Sequence, residues 1–242
     1  MAEQNSGVKA LRFIHSILFI IWAVFSVFTY SIATFIFSGI YLPAARGIAR
    51  AWCKHLLAFS GAKITIEGIE KLDSNKHYVF VSNHQSHLDI PSLMGYLPCN
   101  LVFVAKKELF RIPFFGWGLA SLRHISIDRS SARKARESFT RAVALLKKEN
   151  LDLVIFPEGT RSVDGTIGPF KRGAFALPLE AGLPIVPVTI AGTRNILPKK
   201  SYLIHPGNVT VTLHDPVKIE GTSSADKEKA AKKVREIIIG DQ

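Results

Sequence analysis

The chain reads as an α/β protein with a mostly parallel central sheet flanked by helices. Ahead of the sheet lies an N-terminal two-helix membrane anchor, apolar in its first helix and amphipathic in its second. Three observations carry this reading. From about residue 61 onward, short apolar, β-branched runs alternate with helical patterns, as in a sheet whose strands are joined by helical crossovers. Before that point lies a long stretch without a charged residue. Polar residues suited to chemistry then cluster just after predicted strands, where open α/β sheets bind ligands. The chain divides accordingly into a membrane-binding segment, 1–60, and an α/β domain, 61–242.

From Phe13 to Ala45 there is no Asp, Glu, Lys or Arg. The run over residues 13–42 exceeds the ~20 apolar residues that cross a bilayer. As one straight helix it would reach roughly 45 Å, beyond the ~30 Å hydrocarbon core. It is also longer than the roughly 7–15-residue core of a signal peptide. Lys9 and Arg12 precede it, and Arg46, Arg50 and Lys54 follow. A single span would put one basic flank outside, against the positive-inside tendency, whereas a hairpin or a helix lodged in one leaflet keeps both on one side. Pro43 suits the first turn of a second helix. In that helix Arg46, Arg50 and Lys54 recur every four residues, and Ile48, Trp52, Leu56 and Phe59 form another face, the pattern of an interfacial helix. A plain transmembrane anchor followed by a core helix is the competing reading.

Strands are predicted over residues 63–67, 78–82, 101–105, 124–127, 151–156, 185–190 and 209–213. The clearest helix covers 131–148, with Ala135, Phe139, Ala142, Val143 and Leu146 in one stripe. A last helix runs over about 224–239, opened by the capping-box spacing Ser223-x-x-Asp226. The aromatic stretch Phe110–Trp117 suits an acyl-chain path, a lipid contact or core packing.

The 31 basic and 19 acidic residues leave a formal net charge of +12. An anionic membrane or a phosphorylated ligand accounts for it better than nucleic acid, because no aromatic-plus-basic RNA signature or zinc-finger spacing occurs. Cys53 and Cys99 lack metal-ligand or redox spacing, which points to a reducing compartment and no disulfide framework.

His84 and Asp89 stand in Asn83-His84-Gln85-Ser86-His87-Leu88-Asp89, at the spacing His-x-x-x-x-Asp. A neutral imidazole can take a proton from a hydroxyl near pH 7, and a carboxylate can hold its tautomer and stabilise the imidazolium. With no evident nucleophile beside the pair, the hydroxyl to be activated is expected to belong to the substrate. Five residues along an α-helix is a rotation of about 140°, so His84 belongs in the loop and Asp89 in the following helix. His84 and His87 are three apart, yet no third ligand is evident, so no metal is expected. The strand at 78–82 leads to His84, that at 124–127 to Arg129, and that at 151–156 to Glu158, Gly159 and Arg161.

These residues resemble a known family. Asn83–Asp89 is similar to the first motif of the glycerolipid acyltransferases, and Phe156-Pro157-Glu158-Gly159-Thr160-Arg161-Ser162 resembles their third almost letter for letter. Ile125–Arg129 looks like the second and Val186-Pro187-Val188 like the fourth, and Phe170-Lys171-Arg172-Gly173 also matches relatives. The likeness covers roughly residues 60–215 and is greatest to the bacterial 1-acyl-sn-glycerol-3-phosphate acyltransferases.

The resemblance implies general-base work for His84, supported by Asp89. It implies phosphate binding by Arg129 and Arg161, with Lys106 nearby, and an acceptor site shaped by Glu158, Gly159 and Thr160. Relatives often carry glycine where Arg123 stands, which leaves the local backbone there open. The expected reaction needs no cofactor. An acyl-carrier protein or coenzyme A thioester is the co-substrate, lysophosphatidic acid the acceptor, and phosphatidic acid the product. The expected location is the membrane, at the cytoplasmic face of a bacterial inner membrane. Glycerol-3-phosphate or another lysophospholipid as acceptor, or a lipid hydrolase using the same pair, are the alternatives. Backbone N–H groups near Gly159 are the candidate oxyanion partner.

Overall fold

The computed structural model describes residues 2–127 and 131–241. Two N-terminal helices, α1 (Ala2–Ser38) and α2 (Leu42–Ser60), lead into β1 (Ala62–Glu67) and β2 (Val79–Ser82). Then follow α3 (Asp89–Tyr96), β3 (Leu101–Lys106), α4 (Phe115–Ser121), β4 (Ile125–Ile127), α5 (Ala132–Glu149) and β5 (Asp152–Ile155). The chain closes with α6 (Ala176–Ala181), β6 (Ile185–Ala191), α7 (Thr193–Ile196), β7 (Gly207–Leu213) and α8 (Ser224–Gly240). Each predicted strand and both predicted helices of the sheet domain are present within a few residues of their expected bounds. Ser131 caps α5 by accepting from the Lys134 N–H, and Ser223 with Asp226 forms the expected capping box of α8.

The seven strands lie in the order β1-β7-β6-β2-β5-β3-β4. The pairings among β6, β2, β5, β3 and β4 are parallel, so their carboxyl ends share one edge. β7 departs from this by running antiparallel to β6, and β1 joins β7 in parallel. The β6–β7 connection holds only the short α7, not a helix long enough to carry the chain back along the sheet, so the strand returns in the opposite direction. Alternation along the strands feeds two cores. Phe80, Val154, Val186 and Val188 pack with Leu57, Leu93 and Leu97 from α2, α3 and the turn after it. Val79, Val81, Leu153 and Ile155 pack with residues of α5, α6 and α8.

α1 and α2 form an antiparallel hairpin. Trp22 stacks on Phe59 with centroids 5.0 Å apart, Trp52 Nε1 donates to Ser26 Oγ at 3.1 Å, and Tyr30 Oη lies 2.7 Å from His55 Nδ1. The small residues Ala45, Ala49 and Cys53 bury the inner face of α2, and Gly95 of α3 comes close enough that a Cβ there would stand 3.3 Å from Cys53 Cβ. The basic row of α2 differs from the expectation for an interfacial helix. Arg50 Nη2 donates to Cys99 O at 3.1 Å, the Lys54 ammonium lies over the Tyr96 ring at 5.4 Å, and burial lowers the pKa of Arg46. The heads of Arg50 and Lys54 thus meet a carbonyl and a ring of the sheet domain.

The apolar surface left open belongs mainly to α1, where Phe13, Ile14, Leu18, Ile21 and Phe25 are exposed. This helix is long and apolar enough to cross a membrane. In the aromatic stretch, Phe114 meets Phe28 edge-on at 6.2 Å and Trp117 lies 5.6 Å from Phe35, extending the open surface, while Phe115 lines a cavity. Arg123 answers the question of the missing glycine: its φ is +67°, so an arginine holds the left-handed turn that glycine adopts freely.

His124, just before β4, is buried and accepts from the Phe103 N–H through Nδ1 at 3.1 Å. Burial pushes its pKa down to about 4. An unfolded histidine takes up its proton near pH 6.5, so this stabilisation is present above ~6.5 and is lost as pH falls toward 4. Unfolding free energy should drop by up to roughly 3 kcal/mol from this group across that window. In His124→Gln, whose carbonyl can still accept, the pH slope should be shallower; denaturant melts with equal slopes would rule the assignment out.

Candidate active site

β2 ends at Ser82, and the next residue extends the sheet with its side chain. Asn83 Nδ2 donates to Ile190 O at 2.9 Å, and the Ile190 N–H donates to Asn83 Oδ1 at 2.8 Å, so the amide copies a strand pairing with β6. This fixes where His84 leaves the sheet. The loop folds around the fully buried Asp89, the first residue of α3. Its Oδ2 accepts from the N–H groups of Gln85 and Ser86 at 2.7 and 2.9 Å and lies 2.7 Å from His84 Nδ1. Its Oδ1 accepts from Thr193 Oγ1 at 2.6 Å. The other three partners are donors, so Nδ1 carries the proton in this arrangement and Nε2 offers its lone pair. The imidazole stacks on Phe156 with centroids 4.1 Å apart, which sets the ring plane.

The turn after β5 braces the same residue from the other side. Glu158 is buried; its Oε1 accepts from the His84 N–H at 2.9 Å and its Oε2 from the Gly168 N–H at 3.2 Å. Burial raises its pKa, and those two hydrogen bonds pull it back. Ser162 N–H donates to His84 O at 2.8 Å, so both backbone groups of His84 are held by this turn. Gly159 has φ +71°, the left-handed region that glycine tolerates. Thr160 Oγ1 accepts from Lys199 Nζ at 3.1 Å, and Lys199 also donates to Arg161 O. Arg161 is half-buried beside His87; burial, then Arg161 and then His84, lowers the His87 pKa.

A cavity of about 1770 Å³ opens between His84 and the helices. It runs from Tyr30 and Thr34 of α1 past Leu56, Phe103 and Leu122 to His84, Gly159 and Lys171. This exceeds the roughly 300–1,000 Å³ of an ordinary small-ligand pocket and suits long apolar chains. Lys106 stands on its rim at the end of β3, largely exposed, with Nζ 3.8 Å from Glu108 Oε2. Among the described residues no three His, Cys, Asp or Glu side chains are grouped to hold a metal ion.

The structure thus brings His84, Asp89, Glu158, Gly159, Thr160 and Arg161 to one sheet edge, with Lys106 farther along the same cavity. Arg129 lies outside the described residues. Sequence reasoning missed Thr193, Asn83 and Lys199. Thr193 carried a usable signal, since it follows the end of a predicted strand at the same edge as His84; Asn83 lay inside the first motif without a role. Thr193→Val should leave Asp89 Oδ1 buried and unpaired, lowering thermal stability by about 1–3 kcal/mol, while Thr193→Ser should lose much less. Equal melting behaviour of the two variants would contradict the pairing.

Comparison with known proteins places the chain in a family. A family model described as acyltransferase matches residues 63–191. A chloroplastic 1-acyl-sn-glycerol-3-phosphate acyltransferase of Arabidopsis thaliana is 39% identical over 172 residues, covering 70% of this chain and 48% of the relative. The enzyme of that name from Saccharomyces cerevisiae is 33% identical over 193 residues, covering 79% of this chain and 63% of its own length. The chain spans about half the length of the chloroplastic relatives it matches. The crystal structure of the 1-acyl-sn-glycerophosphate acyltransferase PlsC from Thermotoga maritima superposes with a TM-score of 0.80 at 28% identity, covering 95% of this chain and 94% of that one. The matched stretch contains His84, Asp89 and the Phe156–Arg161 turn together with most of the sheet that sets their geometry, and the chain belongs to the acyltransferase family.

Proposed function

We propose that this protein is a membrane-bound O-acyltransferase that moves a fatty acyl group from a thioester donor to the sn-2 hydroxyl of 1-acyl-glycerol-3-phosphate, making phosphatidic acid. The observation that carries it is an imidazole oriented by a buried carboxylate at the wall of a large, mostly apolar cavity. Among the described residues no serine, threonine or cysteine side chain bonds that imidazole, so the hydroxyl arrives with the substrate. His84 Nε2 takes the hydroxyl proton while the oxygen attacks the thioester carbonyl. The tetrahedral intermediate then expels the thiolate, which recovers the proton from the imidazolium as the carrier thiol. Asp89 holds the tautomer and offsets the positive charge that develops on the ring.

The acceptor phosphate is assigned to Arg161 and Arg129, with Lys106 on the rim, because guanidinium groups bind phosphate in a bidentate way. For Arg129 the support is its motif position, just after β4. The open apolar face of α1, continued by Phe114 and Trp117, suits the hairpin to a bilayer, from which a lysolipid reaches the cavity beside Tyr30 and Thr34. The two free cysteines suit a reducing cytoplasmic face, as of a bacterial inner membrane. The donor carrier is an acyl-carrier protein or coenzyme A, and no cofactor takes part.

Membranes bearing the native protein should convert lysophosphatidic acid to phosphatidic acid with at least one of the two thioesters. His84→Ala and Asp89→Asn should each lose about 10²–10⁴-fold in kcat with folding retained. Substantial transfer by His84→Ala would sink the general-base role. Release of free fatty acid without any acceptor would mark a hydrolase, and preference for glycerol-3-phosphate would move the acceptor one step earlier. Arg161→Ala should act mainly through KM for the acceptor, raising it about 10-fold or more.

A further inference from the structure

We propose that Lys171, outside the residues assigned above, is a further substrate-binding residue whose ammonium takes the acceptor's phosphate beside His84. The inference rests on the acyl-transfer reading and extends it to a group that the four sequence motifs do not contain. Lys171 lines the cavity together with His84, Phe156 and Gly159. Its Nζ reaches across the turn after β5 and stands 2.7 Å from the place a Cβ on Gly159 would occupy. The φ of +71° favours glycine at 159, and the ammonium, at the end of a flexible side chain, lies against its open face.

The backbone under Lys171 is held in place. Its N–H donates to Pro157 O at 3.0 Å, and its own carbonyl accepts from the Ala174 N–H at 2.9 Å. Phe170 stacks on the fully buried Phe175, with centroids 6.5 Å apart, which pins the segment on both sides. The ammonium is thus delivered to the turn from a fixed base.

Several neighbouring cations already have partners. Lys199 bonds Thr160 and Arg161 O, Lys227 Nζ lies 3.7 Å from Glu180, Lys106 Nζ lies 3.8 Å from Glu108, and Arg172 donates to Ser224. Among the described residues no carboxylate forms an ion pair with Lys171. Glu158, in the same turn, already accepts from the His84 and Gly168 N–H groups. An uncommitted ammonium at the wall of the cleft suits an anion brought by a substrate. In the acceptor the phosphate is attached to the carbon next to the one bearing the reactive hydroxyl. A hydroxyl seated at His84 therefore keeps its phosphate close to the turn that Lys171 covers. The competing role for the same cation is to stabilise the oxyanion of the tetrahedral intermediate, and the two separate by acceptor.

The native protein, Lys171→Ala and Lys171→Arg are compared in detergent micelles with lysophosphatidic acid and with 1-monoacylglycerol, which carries the same chain and hydroxyl without the phosphate. Equilibrium binding of each lipid is measured first, then KM and kcat with the thioester that supports transfer. Lys171→Ala should weaken lysophosphatidic acid binding, and raise its KM, by about 10- to 100-fold. Its kcat and its handling of monoacylglycerol should hardly change, and Lys171→Arg should recover most of the loss. Unchanged lysophosphatidic acid binding in Lys171→Ala overturns the proposal. So does an equal loss with both acceptors, or a loss confined to kcat, which marks the oxyanion role. A native protein that binds lysophosphatidic acid but transfers no acyl group to it overturns the acyl-transfer reading, and the binding comparison still decides Lys171.

Discussion

The buried carboxylate of Asp89 is the point on which the site depends. It gathers His84, the N–H groups of Gln85 and Ser86, and the Thr193 hydroxyl into one set of partners at distances of 2.6–2.9 Å. Those partners come from the exit of β2 and the start of α7, so one side chain ties together two stretches far apart in sequence. A buried carboxylate left short of donors would be costly, and here both oxygens are used. The loop between β2 and α3 is therefore fixed by charge satisfaction more than by packing, and the orientation of the imidazole follows from it.

The second constraint is the bracing of His84 from the neighbouring strand. β5 lies beside β2 in the sheet, and its exit turn holds the His84 N–H through Glu158 and the His84 carbonyl through Ser162. Glu158 thereby has a use that its motif position alone does not reveal: its carboxylate is engaged in shaping backbone. Phe156 adds a ring against which the imidazole stacks. The site's rigidity is thus a product of parallel strand order, which sets two motif-bearing loops side by side.

Beyond the polar edge, the large cavity joins the site to the helical hairpin. α2 packs tightly on α3 through small residues, and α4 approaches α1 where Gly118 meets Ser31. The cavity left between these elements is apolar along much of its length and reaches α1, whose outer face is open and apolar as well. A polar centre at one end and a lipid-like surface at the other fit an amphipathic substrate better than a small soluble one.

By itself the sequence determined the periodicities and the spacing of the polar motifs. The strands, the caps of α5 and α8, and the placement of His84 in a loop with Asp89 opening a helix were legible because each depends on neighbours within a few residues. The basic row of Arg46, Arg50 and Lys54 was visible as a pattern, but its direction was not: its partners are Cys99 O and Tyr96, brought by another helix and the turn after it. The same holds for Thr193 on Asp89, Asn83 on β6 and Lys171 over Gly159, which join positions from 12 to more than a hundred residues apart. Periodicity reports which residues share a face, whereas only the closed sheet and its crossovers decide what that face meets. The chemistry of the pair was therefore written locally, and its fixed geometry came from contacts that tertiary folding alone could make.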